Sequence, residues 1–204
     1  MDYTSTTSSA QFLVYLAITA MLPIVQSAPT HLNYAGQTKE DLVNVATVLV
    51  TKAGELSKEI CRTSDLCFNS AEHLLRVDLK LPEIDMESGC LSKKFQKEKC
   101  LPKISSDLLK FQIYLEFLTE TMPSKKAIIE FMQVESKHVA NAVKHLEENP
   151  SEDKDDTTTG ITKDDLRSKY QWNQTLTSYT ILSSFQKYME YTVRAVRYSM
   201  NVSK

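Results

Sequence analysis

The stretch DLLKFQIYLEFLTETMPSKKAIIEFM, residues 107–132, contains two helical patterns separated by one proline. Apolar residues recur three or four positions apart on both sides of Pro123, which is the spacing of one helix face. Because proline does not continue a helix, the first pattern should end near Pro123 and the second should begin two or three residues later. Two helices joined by so short a link must be antiparallel neighbours.

Two further helical patterns lie outside this pair, so the sequence predicts four helices over about 39–61, 99–122, 125–148 and 170–200. Each has an apolar stripe that should face a common core. The stripe residues are Leu42, Val45, Leu49, Ala53, Leu56 and Ile60 in the first helix, Ile104, Leu108, Phe111, Leu115, Leu118 and Met122 in the second, Ile128, Met132, Val139, Ala142, Val143 and Leu146 in the third, and Leu176, Tyr179, Leu182, Met189, Val193, Val196 and Met200 in the fourth.

Two capping patterns mark predicted helix starts. Thr38 is followed three residues later by Asp41, and Thr162 is followed in the same way by Asp165. In such a pair the threonine caps the helix and the carboxylate bonds back to the capping residue. The second pair lies well before the fourth helix, so we expect a break or a separate short helix before about Tyr170.

The links between the four helices are very unequal. The first link exceeds thirty residues, the second has two or three, and the third, over about 149–161, has about a dozen. The third link is acidic and polar, which predicts a flexible segment. Two long crossovers around one tight turn indicate an all-α, four-helix bundle of up-up-down-down topology, since an up-down bundle needs only short links.

The first 27 residues have the pattern of a secretory signal peptide. Residues 12–25 carry no charge and precede small residues at the expected cleavage site. This run has fourteen residues, whereas a spanning helix needs about 20. We therefore expect an extracellular protein without membrane insertion, with one mature domain over 28–204.

The four cysteines should form disulfides, because an exported chain meets an oxidising compartment. Four cysteines allow three pairings, and the spacings Cys61-x5-Cys67 and Cys90-x9-Cys100 do not resemble a zinc site. No metal or cofactor is expected. Two glycosylation sequons begin at Asn173 and Asn201, which agrees with secretion.

Several classes of function are disfavoured by composition and motifs. With 24 basic and 26 acidic residues the chain is close to neutral, so neither nucleic acid nor an anionic membrane is an expected partner. The sequence shows no nucleophile and base arrangement, phosphate loop or metal cluster, so no catalytic residues are expected. A secreted helical lipid carrier remains an alternative, although large side chains on the stripes favour a filled core.

A specific motif narrows the choice. The pattern Cys90-x9-Cys100-x6-Asp107-Leu108-x2-Phe111-x3-Leu115 resembles C-x9-C-x6-G-L-x2-[FY]-x3-L, the signature of the interleukin-6 and granulocyte colony-stimulating factor family. Residues 89–118 and 184–200 extend the resemblance. Asp107 stands where the family has glycine, and we expect aspartate to be tolerated there in an exposed first turn of the second helix.

The resemblance implies a non-catalytic, secreted cytokine with Cys61–Cys67 and Cys90–Cys100 bridges. Its implied partners are the interleukin-6 receptor alpha and the shared signalling receptor glycoprotein 130, whose recruitment triggers JAK/STAT signalling in immune and acute-phase responses. A granulocyte colony-stimulating factor-like growth factor, with a receptor of its own, is the alternative within the family.

The resemblance also assigns residues to these contacts. The alpha-receptor residues are Phe95, Leu91, Arg194 and Arg197, and Trp172 is assigned to glycoprotein 130. We add Lys52 to the glycoprotein 130 contact as an exposed position on the first helix, since the first and third helices share a receptor face in this family. A simpler interpretation of Arg194 is an exposed ion pair with Glu190, four residues earlier.

Overall fold

The computed structural model describes residues 38–64, 78–91, 95–146, 162–170 and 174–201. All of them belong to the second of two compact units, Tyr34–Lys204. The segments predicted to be a signal peptide, 1–27, and a flexible link, about 149–161, lie outside the described residues. The helices are α1 (Lys39–Thr63), α2 (Lys97–Thr121), α3 (Lys126–His145), α4 (Lys163–Tyr170) and α5 (Gln174–Asn201), with a 3-10 turn at Pro123–Lys125 between α2 and α3.

Capping boxes begin α1 and α4 as predicted. The Asp41 backbone N–H donates to Thr38 Oγ1 at 3.2 Å, and the Thr38 N–H donates to Asp41 Oδ2 at 3.1 Å. The Thr38 hydroxyl also donates to Asp41 Oδ2 at 2.6 Å, and this bond, followed by the one from the Thr38 N–H, lowers the pKa of Asp41. Thr162 and Asp165 repeat the arrangement at 3.2 and 2.9 Å. The short helix expected before Tyr170 is therefore α4, and the main fourth helix starts only at Gln174.

The turn between α2 and α3 is as tight as the proline indicated. The Met122 N–H closes α2 by donating to the Leu118 carbonyl at 2.9 Å, and Pro123 starts the 3-10 turn. At its other end α2 begins at Lys97, two residues before the predicted start at about 99, and the helix contains Pro102. Pro102 cannot donate to the carbonyl four residues earlier, and the early turns of the helix tolerate that loss.

Contacts at the helix ends establish the topology. Lys125 Nζ lies 2.6 Å from Glu59 Oε1, which places the start of α3 beside the end of α1. Thr121 Oγ1 and Ser178 Oγ are 3.5 Å apart, so the start of α5 lies beside the end of α2. Hence α1 and α2 run parallel, and α3 and α5 run antiparallel to both. This confirms the up-up-down-down bundle.

Aromatic side chains fill the core between α2 and α5. The Phe111 ring lies 5.3 Å, centroid to centroid, from both Phe185 and Tyr188, in edge-to-face arrangements. The Tyr114 ring lies 6.2 Å from that of Phe111, also edge to face. All four side chains are buried, as expected for a filled bundle core.

Two expectations about individual residues are wrong. Ile128 is 37% exposed, and its neighbour Ile129 occupies the core; the apolar stripe of α3 is therefore one residue out of phase at its start. Asp107 is only 4% exposed. Because α2 begins ten residues before Asp107, this side chain lies deep in the helix and faces α5, not an exposed first turn.

Candidate functional site

The Cys90–Cys100 disulfide ties the loop between α1 and α2 to the start of α2. Gly89 has a φ of 71°, a left-handed conformation that favours glycine, and its carbonyl accepts from the Gln96 N–H at 2.8 Å. Cys61, in the last turns of α1, is also disulfide-bonded, while Cys67 lies outside the described residues. The segment that carries Phe95 is thus fixed to α2.

A tyrosine holds the same loop further upstream. The Tyr114 hydroxyl donates to the Leu79 carbonyl at 2.7 Å, next to Lys80, whose φ of 49° marks a sharp turn. Tyr114 comes from the middle of α2. The loop over 79–91 is therefore fastened to α2 at both of its ends.

Phe95 meets α5 through an aromatic contact. Its ring centroid lies 5.6 Å from that of Tyr198, with the rings tilted by 36°. Phe95 is partly buried and packs against the core. The contact brings the predicted loop aromatic to the same surface as the last turns of α5.

The two predicted arginines lie on this part of α5. Arg194 is 54% exposed, with its Nη2 atom 3.4 Å from Glu190 Oε2, so the simple ion pair is present. The Arg194 guanidinium also lies 5.0 Å from the centroid of the Tyr191 ring, a cation–π distance. Arg197 is exposed one turn further on. Both cations remain accessible to a partner.

Two further aromatic residues of α5, Tyr191 and Tyr198, belong to the same surface and carry no motif that predicts them. They stand three residues before and four residues after Arg194, which are same-face spacings on a helix, and this spacing was the available signal. Phe95, Tyr191, Arg194, Arg197 and Tyr198 together form what we call the loop–α5 surface. The fourth predicted residue, Leu91, is half-buried in the loop beside Cys90.

Exposed apolar side chains also lie on α1 and α3. Lys52 is 39% exposed and pairs with Glu55 at 3.1 Å, and Val48, one turn earlier, is 42% exposed. Phe131 and Val134 of α3 are exposed as well. Trp172 and Asn173, also predicted to be functional, lie outside the described residues.

The register of α3 aligns these side chains. Lys52 precedes Glu59 by seven residues and Phe131 follows Lys125 by six, so both lie about 10 Å from the Lys125–Glu59 contact. Ser136 faces α2, because its hydroxyl accepts from Gln112 at 2.9 Å, and Phe131 stands about 140° around the helix from it. We call Val48, Lys52, Ile128, Phe131 and Val134 the α1–α3 face.

Charged side chains attach α4 to the C-terminal half of α2. Lys163 Nζ lies 2.5 Å from Glu116 Oε1 and 2.6 Å from Glu120 Oε1, and Arg167 Nη2 lies 2.7 Å from Glu120 Oε1. Hydrogen bonds from Lys163 and then Arg167 lower the pKa of Glu120. Leu166 is fully buried beneath them. An exposed ion network over one leucine thus holds α4.

Two other kinds of site are absent from the described ranges. No helix there is long and apolar enough to span a bilayer. No cluster of three or more histidine, cysteine or acidic side chains there could hold a metal ion.

Comparison with known proteins identifies the family. The sequence model of the Interleukin-6/G-CSF/MGF family matches residues 26–199. Interleukin-6 of Gallus gallus is 40% identical over 160 residues, covering 78% of this chain and 66% of the chicken protein. Interleukin-6 of Orcinus orca is 32% identical over 152 residues (73% and 74%), and that of Sus scrofa is 30% identical over 151 residues (73% and 71%).

The relatives also bear on activity. They are interleukin-6 proteins, which are cytokines and not enzymes, and this confirms the prediction of a non-catalytic chain. The helical bundle, the Cys90–Cys100 bridge and the family match agree with one another. The chain belongs to the Interleukin-6/G-CSF/MGF family of helical cytokines.

Proposed function

We propose that the chain is a secreted interleukin-6-type ligand that binds an interleukin-6 receptor alpha through its loop–α5 surface. The observation that carries this proposal is the contact of Phe95 with Tyr198. It joins the loop aromatic to the helix face that presents Arg194 and Arg197. An aromatic anchor beside exposed arginines is the composition of a binding hot spot.

The described part of the loop, residues 79–91, is well suited to such a role because it is already fastened to α2. Its disulfide to Cys100 and its hydrogen bond from Tyr114 fix it before any partner arrives. Binding then costs less conformational entropy than it would for a free loop. Leu91, half-buried beside the bridge, supplies an apolar contact at the edge of this surface.

The test is a binding assay against immobilised interleukin-6 receptor alpha from the same source. We compare wild type with the double variant Arg194→Glu, Arg197→Glu, and with the matched control Lys58→Glu, Arg62→Glu, which makes the same charge change at the opposite end of the bundle. We expect the first variant to bind at least about 100-fold more weakly and the control to bind like wild type, with helicity unchanged in both.

Other outcomes would redirect the assignment. Equal binding by wild type and the Arg194→Glu, Arg197→Glu variant would contradict the loop–α5 surface. Failure of wild type to bind would contradict the alpha-receptor proposal itself. The colony-stimulating-factor interpretation would then be tested with that receptor, and the carrier interpretation with a fluorescent fatty acid.

We further propose that the α1–α3 face and Trp172 recruit glycoprotein 130 and thereby trigger JAK/STAT signalling in immune and acute-phase responses. The support is the exposure of apolar side chains on α1 and α3 at about the same height in the bundle as Lys52, since exposed apolar patches on a soluble protein mark interaction sites. Phe131→Asp should retain alpha-receptor binding and lose STAT phosphorylation in cells that carry both receptors. Signalling at the wild-type level would contradict a role for this face.

Export and modification belong to the same proposal. We infer cleavage after Ser27 and a mature extracellular domain over 28–204, to be checked by N-terminal sequencing of secreted protein. The sequons at Asn173 and Asn201 are proposed glycan sites. Asn201 stands one turn after Arg197 at the end of α5, so receptor binding through this surface requires either that this sequon is unused or that its glycan projects away from the loop–α5 surface. Alpha-receptor binding before and after enzymatic deglycosylation tests this arrangement.

A further inference from the structure

Asp107, the one departure from the family signature, forms a buried link between α2 and α5. Its Oδ2 atom accepts a hydrogen bond from the Tyr188 hydroxyl at 2.9 Å and one from Lys103 Nζ at 2.7 Å. Its Oδ1 atom lies 3.5 Å from Lys110 Nζ. A buried carboxylate is tolerated only when it is paired and hydrogen-bonded, and here both oxygens have partners.

Tyr188 is held as firmly as Asp107. Only 2% of the residue is exposed, and its ring packs edge-to-face on Phe111. Burial, and next the negative charge of Asp107, raise the pKa of the Tyr188 hydroxyl well above its usual value. The hydroxyl therefore keeps its proton and remains a donor to Asp107.

The link connects α2 with α5, the two elements that carry the loop–α5 surface. On one side of the link, Asp107 belongs to α2. The start of α2 follows directly after Phe95 and is bridged to the loop by the Cys90–Cys100 disulfide. The α5 side of the link lies six residues, about 9 Å, before Arg194. Tyr188 and Tyr191 also line a cleft beneath residues 82–84 of the loop. The Asp107–Tyr188 bond thus joins the elements that supply the aromatic and the cationic parts.

We propose that Asp107 and Tyr188 are positioning residues that set the register of α5 against α2, so that Phe95 and Arg194 have one fixed spacing. The receptor consequence rests on the proposed function, whereas the positioning itself does not. Apolar side chains pack with little directionality, but a hydrogen bond accepts a narrow range of distances and angles. A satisfied buried polar contact can therefore specify one helix register where packing alone permits several.

Another polar contact between the same helices supplies a matched control. Thr121 and Ser178 meet at 3.5 Å near the opposite end of α2 and α5, far from the loop–α5 surface. Ser178 is buried, as Tyr188 is. Tyr188→Phe and Ser178→Ala each remove a single hydroxyl between α2 and α5, and they differ in which end of the helix pair they release.

The experiment measures position and binding in the full mature chain. Ring-to-ring nuclear Overhauser effects between Phe95 and Tyr198, with the amide shifts of residues 191–198, report position without a receptor. Tyr188→Phe should weaken the ring contacts, move these shifts, and weaken alpha-receptor binding by about 3- to 10-fold, mainly through faster dissociation. Ser178→Ala should leave all three unchanged. Asp107→Asn keeps an acceptor oxygen and should give an intermediate result.

Each other outcome has a defined meaning. Unchanged ring contacts in Tyr188→Phe, or equal changes in Ser178→Ala, would overturn the inference. Moved contacts with wild-type receptor affinity would overturn the receptor consequence and leave a purely structural role. If the ring contacts move in Tyr188→Phe but the wild type binds no alpha receptor, the positioning role stands and the proposed function is refuted.

Discussion

The two ends of α2 use charge in opposite ways. In its N-terminal half, the Asp107 carboxylate is buried between α2 and α5 and bonds to Tyr188 and Lys103. In its C-terminal half, Glu116 and Glu120 remain partly exposed and hold α4 by ion pairs. Both clusters have close contacts, so distance alone does not distinguish them.

Burial decides what each cluster contributes. Removing a partner from a buried charged group leaves unsatisfied polar atoms and costs several kcal/mol, whereas exposed ion pairs contribute little and are screened by salt. The N-terminal end of α2 should therefore be rigid, and the α4 end should respond to solution conditions. The rigid end is the one that adjoins the loop–α5 surface.

The largest expected effect is that of Asp107→Ala. The variant leaves the Tyr188 hydroxyl buried without its acceptor and should lower the free energy of unfolding by about 3 kcal/mol, measured by urea denaturation. Asp164→Ala removes a carboxylate that is 93% exposed and serves as the control. A similar loss in both variants would contradict the assignment of the effect to burial.

A smaller loss is expected from Leu166→Ala. This side chain is fully buried under α4, and truncation should cost about 2 kcal/mol, the low end for leucine, because a short helix can settle into the space. Hydrogen exchange should accelerate over 163–170 and remain slow in the middle of α2. Uniform acceleration through the bundle would show that α4 is not a separate unit.

Salt should separate the two clusters without any mutation. At 1 M salt the screening length is about 3 Å, so amide exchange over 163–170 should accelerate. The amides around Asp107 should be unaffected, because buried pairs are screened much less. Equal sensitivity of both regions to sodium chloride would remove the distinction between the two ends.

The smallest effect concerns pH. The pKa of Glu120 is lowered in the folded chain from its ordinary value of 4.5. The stability that its ion pairs contribute is therefore complete above pH 4.5, and it is lost as the pH falls through the folded pKa. Attachment of α4 should therefore loosen below about pH 4.5. Glu120→Gln should abolish the pH dependence of amide exchange over 163–170. A pH profile in this variant like that of wild type would assign the dependence to other carboxylates.

Local signatures in the sequence were sufficient for most of the fold. The Thr38 and Thr162 capping boxes and the Pro123 turn act within a few residues, and the link lengths then select the topology. Phe95, Arg194 and Arg197 could be named from the resemblance, and the structure brings them to one surface.

Features that depend on distant partners could not be predicted in this way. Asp107 is buried because Tyr188, 81 residues later, donates to it, and the local pattern of α2 contains no sign of this. Residues 128 and 129 are both apolar, so the sequence pattern of α3 does not determine which of them is buried. The exposure of Ile128 depends on which side of α3 packs against the neighbouring helices. Tyr191 and Tyr198 gain their roles only when the loop packs against α5.

The most direct test is hydrogen exchange of the mature chain with and without interleukin-6 receptor alpha. The account predicts slower exchange on binding at the start of α2 and over 190–198, and no change over 163–170 at the other end of α2. Protection confined to α4 or to the α1–α3 face, with none near Arg194, would contradict it.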